Sequence, residues 1–250
     1  MTLFDGERVD YVNDSLSLIQ KTDGLTFGTD ALLLAGYVAG KHRCGVELGA
    51  GSGIISMLLL TREKLATVRA IEVQEEYAEL TRRNAELNAL SKRLTTECAD
   101  VRDVKGEGAF DIVFTNPPYM KNDSGMANLK DKKNVARHEV FGGISDFCEA
   151  AKRLLKFGGS FYAVYRTDRL CDLISGMREA GIEPKRMTLV HANAAAEPSM
   201  VLLEGRLGGK CGLFLTRPLI IYRDGSNSEY GDDMKYIMEH GSFPDEFVKR

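Results

Sequence analysis

An α/β fold with a doubly wound, mostly parallel sheet is predicted by three observations. From residue 44 onward strand-like runs alternate with amphipathic helical runs, the pattern of βαβ crossovers. A Gly-rich turn, Gly49-Ala50-Gly51-Ser52-Gly53, joins the first long strand to the helix behind it. Three strand ends carry polar residues, Glu72, Asp100 and Asn116, and ligands of open α/β sheets bind beyond the carboxyl ends of the strands.

Composition sets the outer limits. The 250 residues are 44% hydrophobic and 28% charged, with 25 Gly and 6 Pro, which excludes a disordered chain, a collagen and a disulfide scaffold. That length holds one large α/β domain, or a medium one with a small appendage. The five cysteines are widely spaced with no CxxC pair, so reduced thiols and a cytoplasmic location are expected, with Cys44 and Cys98 as small core residues. The N-terminal MTLFDGERVDYV has no basic n-region, and no apolar run reaches the ~20 residues of a membrane helix, so neither export nor insertion is expected. His42, His138, His191 and His240 share no metal-ligand spacing, and no metal is expected.

Reading along the chain, residues 8–12 and 17–21 predict a small hairpin around Asn13-Asp14. FGTDALLLAGYVA predicts a helix in which Thr29 or Asp30 caps the first amides and Ala31 to Ala39 form the apolar face. CGVELGAGSGIISMLLLTR follows as strand, turn and helix, with Met57 to Leu60 buried; TVRAIEV is a strand, QEEYAELTRRNAELNAL a helix and LTTECAD a strand. AFDIVFT is a strand, ISDFCEAAKRLLKFGG a helix closed by two Gly, SFYAVY a strand and TDRLCDLISGMREAG a helix. RMTLVH, SMVLLEG and GLFLTRPLIIY are strand-like, which suggests an antiparallel edge; a turn and a short helix end the chain. The expected organisation is a hairpin and helix over 1–43 ahead of a domain over 44–250.

The strand ends carry the chemistry. Glycines after the first long strand let the backbone turn tightly and approach a ligand, and the following helix N-terminus offers N–H groups to an anion. The spacing is GxGxG, with Ile54 where a dinucleotide fingerprint requires Gly, so a pyrophosphate site is disfavoured; Glu47 precedes the turn with no evident packing role. Glu72, 19 residues after Gly53, suits the two hydroxyls of a ribose, and Asp100 stands where an adenine amino group would be reached. Asn116-Pro117-Pro118-Tyr119 follows the strand AFDIVFT. Two prolines stiffen that peptide, the carboxamide and a carbonyl form a pair of acceptors for a planar NH2 group, and the ring can stack on the group that carries it.

With these motifs the chain resembles the S-adenosylmethionine-dependent methyltransferases of class I that bear the (N/D)PP(Y/F) motif and a Rossmann-like seven-stranded sheet. FGTDALLL, ARHE, PSMVLLEG and RPLIIY extend the resemblance, over nearly the whole chain, to the bacterial tRNA1(Val) adenosine-37 N6-methyltransferase family. The resemblance implies S-adenosylmethionine as cofactor, held by Thr29, Glu47, Gly49, Gly51, Gly53, Glu72, Val73, Asp100, Val101 and Asn116. It implies a tRNA adenosine as substrate, with Asn116 Oδ1 and the Pro117 carbonyl accepting hydrogen bonds from the amine N–H groups and Pro118 and Tyr119 completing the catalytic motif. A monomer or weak homodimer is expected. Two other activities fit the same two-acceptor logic or the same fold: N5-glutamine methylation of release factors, and non-catalytic RNA binding. The first normally brings a sizeable helical domain in front, and only 46 residues precede Glu47.

An adenosine in an anticodon loop must leave its stack to reach such a pocket, so something must grip the RNA around it. The net charge of −3 is unevenly divided: −5 over residues 1–119, +6 over 120–223 and −4 over 224–250. Residues 120–140 show no periodicity and carry Lys121, Lys130, Lys132, Lys133 and Arg137, with His138 beside them. They are expected to form a mobile lid and phosphate contact next to the NPPY motif. Arg166, Arg169, Lys185, Arg186, Arg206 and Lys210 would extend a basic face if they share one side.

Overall fold

The computed structural model describes residues 3–23, 27–106, 108–117, 142–225 and 228–248. Pro118, Tyr119 and the expected lid, with Lys121, Lys130, Lys132, Lys133, Arg137 and His138, lie outside the described residues. The chain opens with an antiparallel hairpin, β1 (Glu7–Asn13) and β2 (Leu16–Lys21), then α1 (Thr29–Tyr37). Four parallel strands follow: β3 (His42–Leu48), β4 (Leu65–Glu72), β5 (Leu94–Cys98) and β6 (Phe110–Thr115). Helices α2 (Ile54–Thr61) and α3 (Glu75–Leu87) make the first two crossovers. The second half comprises α4 (Ile144–Leu154), β7 (Leu155–Arg166), α5 (Leu170–Glu179), β8 (Ile182–His191), β9 (Pro198–Leu207), the two-residue strands β10 (Phe214–Leu215) and β11 (Leu219–Ile220), and α6 (Asp232–His240).

The seven long strands of the central sheet run β5-β4-β3-β6-β7-β9-β8, with β10 and β11 on the outer side of β8. The chain moves outward from β3 to β5, returns, and leaves in the other direction through β6, so the switch point lies between β3 and β6. Strand alternation sends side chains to two separate cores. Ile112, Phe114, Tyr162, Val164 and Leu202 meet α1, α2 and α6 on one face. Val113, Phe161, Ala163, Val201 and Leu203 meet α4 and α5 on the other. Helix α2 is buried on every residue from Ile54 to Leu60, as its run of apolar residues requires.

Several sequence expectations are corrected. The antiparallel strand is not at the edge: the short turn over 192–197 returns β9 antiparallel to β8, and β9 then slots between β8 and β7. The run GLFLTRPLIIY is split into β10 and β11 around Pro218, which has no N–H for a ladder, and both pair parallel with β8. Helix α4 ends at Leu154, and Lys156 to Gly159 belong to β7. There Gly158 takes φ +78° and the register against β6 slips, Phe110 facing Leu155 while Ile112 faces Ser160. Helix α1 stops at Tyr37, where Lys64 Nζ donates to the carbonyls of Ala35, Gly36 and Val38 at 2.7–3.0 Å. Its N-cap is Gly28, and Asp30, inside the first turn, accepts from Ala31 N at 2.9 Å with Oδ1, as expected of a residue serving the first amides. Cys98, on the edge strand β5, is exposed and Cys44 half-buried; Cys148 is the buried thiol.

Arg166, Arg169, Lys185, Arg186, Arg206 and Lys210 do not share a face. Arg166 and Arg169 lie at the carboxyl edge of the sheet, ion-paired with Asp168 and Asp172. Arg206 faces Ser160 and Glu183 at the opposite edge, where Lys185 Nζ donates to the Lys210 carbonyl at 2.7 Å. Arg186 is 4% exposed. It bonds Glu204 and the carbonyls of Tyr37 and Phe247, and stacks 3.8 Å from the Tyr37 ring.

Two buried polar groups of α3 and β3 hold the front of the molecule. Asn84 accepts from Ile19 N (2.7 Å) and donates to the carbonyls of Ile19 (3.1 Å) and Ser52 (3.0 Å). One turn on, Asn88 accepts from Ser17 N (3.0 Å) and donates to the Ser17 carbonyl (2.7 Å), so two side-chain amides occupy the free edge of β2. Glu47 points under α2, where Oε2 accepts from Ser56 N at 3.1 Å and from the Ser56 hydroxyl. The residue thus has a packing role: it satisfies an orphan amide of the first helical turn.

Two outcomes are expected. Asn84→Leu strands three buried backbone groups, so urea unfolding monitored by circular dichroism should show a loss of about 3 kcal/mol or more. Burial, with Glu72 nearby, pushes the Glu47 carboxyl up to about 8. Since the unfolded chain ionises this group near ~4.3, the folded state keeps a proton that the unfolded state releases, and stability falls as pH rises from about 5 to 8. Glu47→Gln should remove that part of the slope, gaining on the wild type towards pH 8. Parallel pH profiles of the two proteins would assign Glu47 as ionised throughout.

Candidate active site

The carboxyl ends of β6, β3, β4 and β5 lie side by side, Leu48 facing both Ile71 and Thr115. Asn116 and Glu72 therefore flank the Gly turn from opposite sides, about 10 Å apart at the usual strand spacing. Thr115 joins the two central strand ends, its hydroxyl donating to the Leu48 carbonyl at 2.8 Å.

The turn is held by its neighbours. Gly49 N and Ala50 N donate to the Ile71 carbonyl at 2.9 and 3.0 Å, Gly51 N to Glu72 Oε2 at 2.8 Å, and Gly53 N to the Ala50 carbonyl at 2.8 Å. From α3, the Thr81 hydroxyl donates to the Gly51 carbonyl at 2.8 Å and Asn84 to that of Ser52. The amides at 49, 50, 51 and 53 are thus taken within the protein, contrary to an anion nest. The turn instead offers a ligand close approach. Gly49, Gly51 and Gly53 all have φ between +56° and +79°. A Cβ on Gly53 would stand 2.7 Å from Thr81 Cγ2, whereas one on Gly51 would meet nothing within 4 Å. The Gly51 face is open to a ligand, and it borders Glu72.

Glu72 is buried, with Oε2 on Gly51 N and Oε1 accepting from Gln74 N at 2.9 Å. Each oxygen keeps a lone pair, so two hydroxyls can still be received by a carboxylate already fixed in place. Val73 follows, its carbonyl contacted by Cys98 Sγ at 3.5 Å. Asp100 lies two residues beyond β5, its carboxyl held below the usual range by the Arg102 guanidinium, whose Nε stands 2.9 Å from Oδ1. Val101 is buried in the cluster that holds Ile71, Val104 and Phe147, and its carbonyl accepts from Arg153 Nη2 at 2.8 Å, which leaves its backbone N–H for a ligand. Thr29 is half-buried at the start of α1.

Asn116 differs from all of these. Its Nδ2 donates to Asp30 Oδ2 at 2.9 Å, while its Oδ1 is buried with no hydrogen-bond partner among the described residues. A buried carbonyl oxygen without a donor is costly, and a ligand N–H at that point would relieve it. The link to Asp30, 86 residues away, was not visible in the sequence, where Asp30 read only as a helix cap. Among the described residues no cluster could hold a metal ion, and no helix is long and apolar enough to cross a membrane.

The chain is similar to known methyltransferases. The family model described as "Methyltransferase small domain" matches residues 21–177. The tRNA1(Val) (adenine(37)-N6)-methyltransferase of Porphyromonas gingivalis is 30% identical over 190 residues, covering 72% of this chain and 73% of that one. The protein of the same name in Phocaeicola vulgatus is 29% identical over 177 residues, covering 70% and 74%. A solved structure described as a predicted O-methyltransferase of Agrobacterium tumefaciens gives a TM-score of 0.69 at 25% identity, over 86% of this chain and 98% of that one. TYW2 of M. jannaschii, solved in complex with AdoMet, gives 0.57 at 15% identity over 82% and 88%, a likeness of fold alone. The chain belongs to the methyltransferase small domain family and is an S-adenosylmethionine-dependent methyltransferase.

Proposed function

We propose that this methyltransferase acts on the exocyclic N6 amine of adenosine in tRNA, at position 37 of an anticodon loop, in the cytoplasm. The observation that carries the chemistry is the orphaned Oδ1 of Asn116 at the carboxyl end of β6. The RNA substrate is supported by the similarity to relatives named for that reaction over more than two thirds of each chain.

The bound cofactor supplies an electrophilic methyl group. What the chain supplies is a place and an orientation. Glu72 receives the ribose hydroxyls and Asp100 the adenine side, while Gly49, Gly51 and Gly53, with Glu47 beneath them and Thr29, Val73 and Val101 around them, admit the rest. Asn116 Oδ1 and the Pro117 carbonyl accept hydrogen bonds from the two N–H groups of the target amine. That draws its lone pair out of conjugation with the ring and favours the positive charge that develops on nitrogen, an electrostatic effect set up before reaction. Two acceptors suit an NH2 group; a hydroxyl would leave one of them empty. Tyr119, with Pro118 stiffening the peptide, stacks on the base. As the N–CH3 bond would form and the S–CH3 bond break, the cofactor would leave as the neutral thioether, and the methylated aryl ammonium is acidic enough to give its proton to water, so no strong base is needed. Lys121, Lys130, Lys132, Lys133, Arg137 and His138 contact the RNA around the extruded base.

Asn116→Ala should lower the rate of methyl transfer on the order of 10²–10³-fold with cofactor affinity retained by calorimetry. Wild-type rates would remove Asn116 from the mechanism. Incubation with labelled cofactor and separate pools of tRNA, rRNA, DNA and release factor should place the label in N6-methyladenosine of tRNA; label in protein would replace the substrate assignment with glutamine methylation. Replacing Lys130, Lys132 and Lys133 together by Gln should weaken tRNA binding and reduce the slope of log K against log salt by about 2. An unchanged slope would exclude them from phosphate contact.

A further inference from the structure

Each carboxylate oxygen of Asp30 meets a backbone or side-chain donor. Oδ1 accepts from Ala31 N at 2.9 Å in the first turn of α1, and Oδ2 accepts from Asn116 Nδ2 at 2.9 Å. Both bonds require an acceptor, and only a carboxylate offers one at each position. An asparagine side chain is chemically two-sided: rotated by 180° about its last bond, it presents NH2 where it had presented oxygen, with almost no change in shape. Nothing on Asn116 itself selects between the two. The selection comes from its partner, because an acceptor-only group can meet Nδ2 but not Oδ1.

We propose that Asp30 is a positioning residue for methyl transfer, locking the Asn116 carboxamide with its oxygen towards the substrate amine. The inference rests on the amine-acceptor role proposed above for Asn116. A flipped Asn116 would present two N–H donors to a substrate that also presents N–H donors, so the pocket would repel the group it must bind. The carboxylate does more than orient. Its negative charge, one amide group away from the reacting nitrogen, polarises Oδ1 and stabilises positive charge developing there, and the N-terminal turn of α1 is a favourable place for that charge to be kept.

The geometry makes an unusual ordering of variants. Ala31 N also donates to the Gly28 carbonyl at 3.2 Å, yet in Asp30→Asn the new amide keeps its oxygen on Ala31 N because an NH2 there would oppose that N–H, which places its NH2 against Asn116 and favours the flipped amide. In Asp30→Ala, Asn116 is merely released and samples both orientations. A structural role for Asp30 gives the opposite order, since the isosteric Asn preserves the bond to Ala31 N and Ala does not. Single-turnover methylation of unmodified tRNA at saturating cofactor should therefore fall about tenfold in Asp30→Ala and on the order of 10²-fold in Asp30→Asn. Thermal melting should rank the two the other way, with Asp30→Asn the more stable. Asp30→Asn reacting as fast as Asp30→Ala, or faster, would overturn the proposal. Asn116→Ala, assayed alongside, separates the two readings: full activity there would defeat the role of Asn116, whereas its loss combined with a fast Asp30→Asn would defeat only that of Asp30.

Discussion

The bond from Gly51 N to Glu72 is the contact on which the site depends. It ties the turn after β3 to the end of β4, and so brings the open face of Gly51 against the carboxylate best placed for a ribose. The remaining contacts secure that arrangement. Ile71 holds the start of the turn, and Thr81 and Asn84 hold its carbonyls from α3. A loop with so many of its polar atoms occupied is rigid before any ligand arrives, and a rigid loop loses little conformational entropy on binding.

Much of this was legible in the sequence because it depends on local pattern. Glycines at positive φ, a carboxylate at a strand end and Asn-Pro-Pro after an apolar strand are short-range signals with a stereochemical meaning. Elements anchored by periodicity were likewise read correctly, β6 and α3 among them. What escaped was long-range. The pairing of Asp30 with Asn116 joins residues 86 apart, and the burial of Arg186 among Tyr37, Glu204 and Phe247 has no local signature. Glu47 reads in the sequence as free for a ligand because its partner, the first turn of α2, becomes its neighbour only through the fold. The place of β9 inside the sheet was missed for a related reason: a run of apolar residues shows that a strand exists and is silent on which neighbours it takes.

Charge is the property for which the sequence was most misleading. A positive second half suggested one continuous basic surface, but strands of a sheet deliver their ends to two opposite edges. Arg166 and Arg169 reach the edge of the site; Lys185, Arg206 and Lys210 reach the other. The arginines at the site edge are moreover paired with aspartates, which weakens the field they project. Arg166, Arg169, Lys185, Arg186, Arg206 and Lys210 therefore offer no single surface to a polyanion.

The amide pair on α3 has a consequence for how the chain is made. Ser17 and Ile19 of β2 find their partners in Asn88 and Asn84, 71 and 65 residues later. During synthesis the hairpin leaves the ribosome ahead of α3, and one hydrogen-bonding edge stays unanswered until α3 emerges and forms. Until then the strand is open to any extended segment that meets it. In the finished protein a helix, through two carboxamides one turn apart, does the work of a neighbouring strand and closes that edge for good.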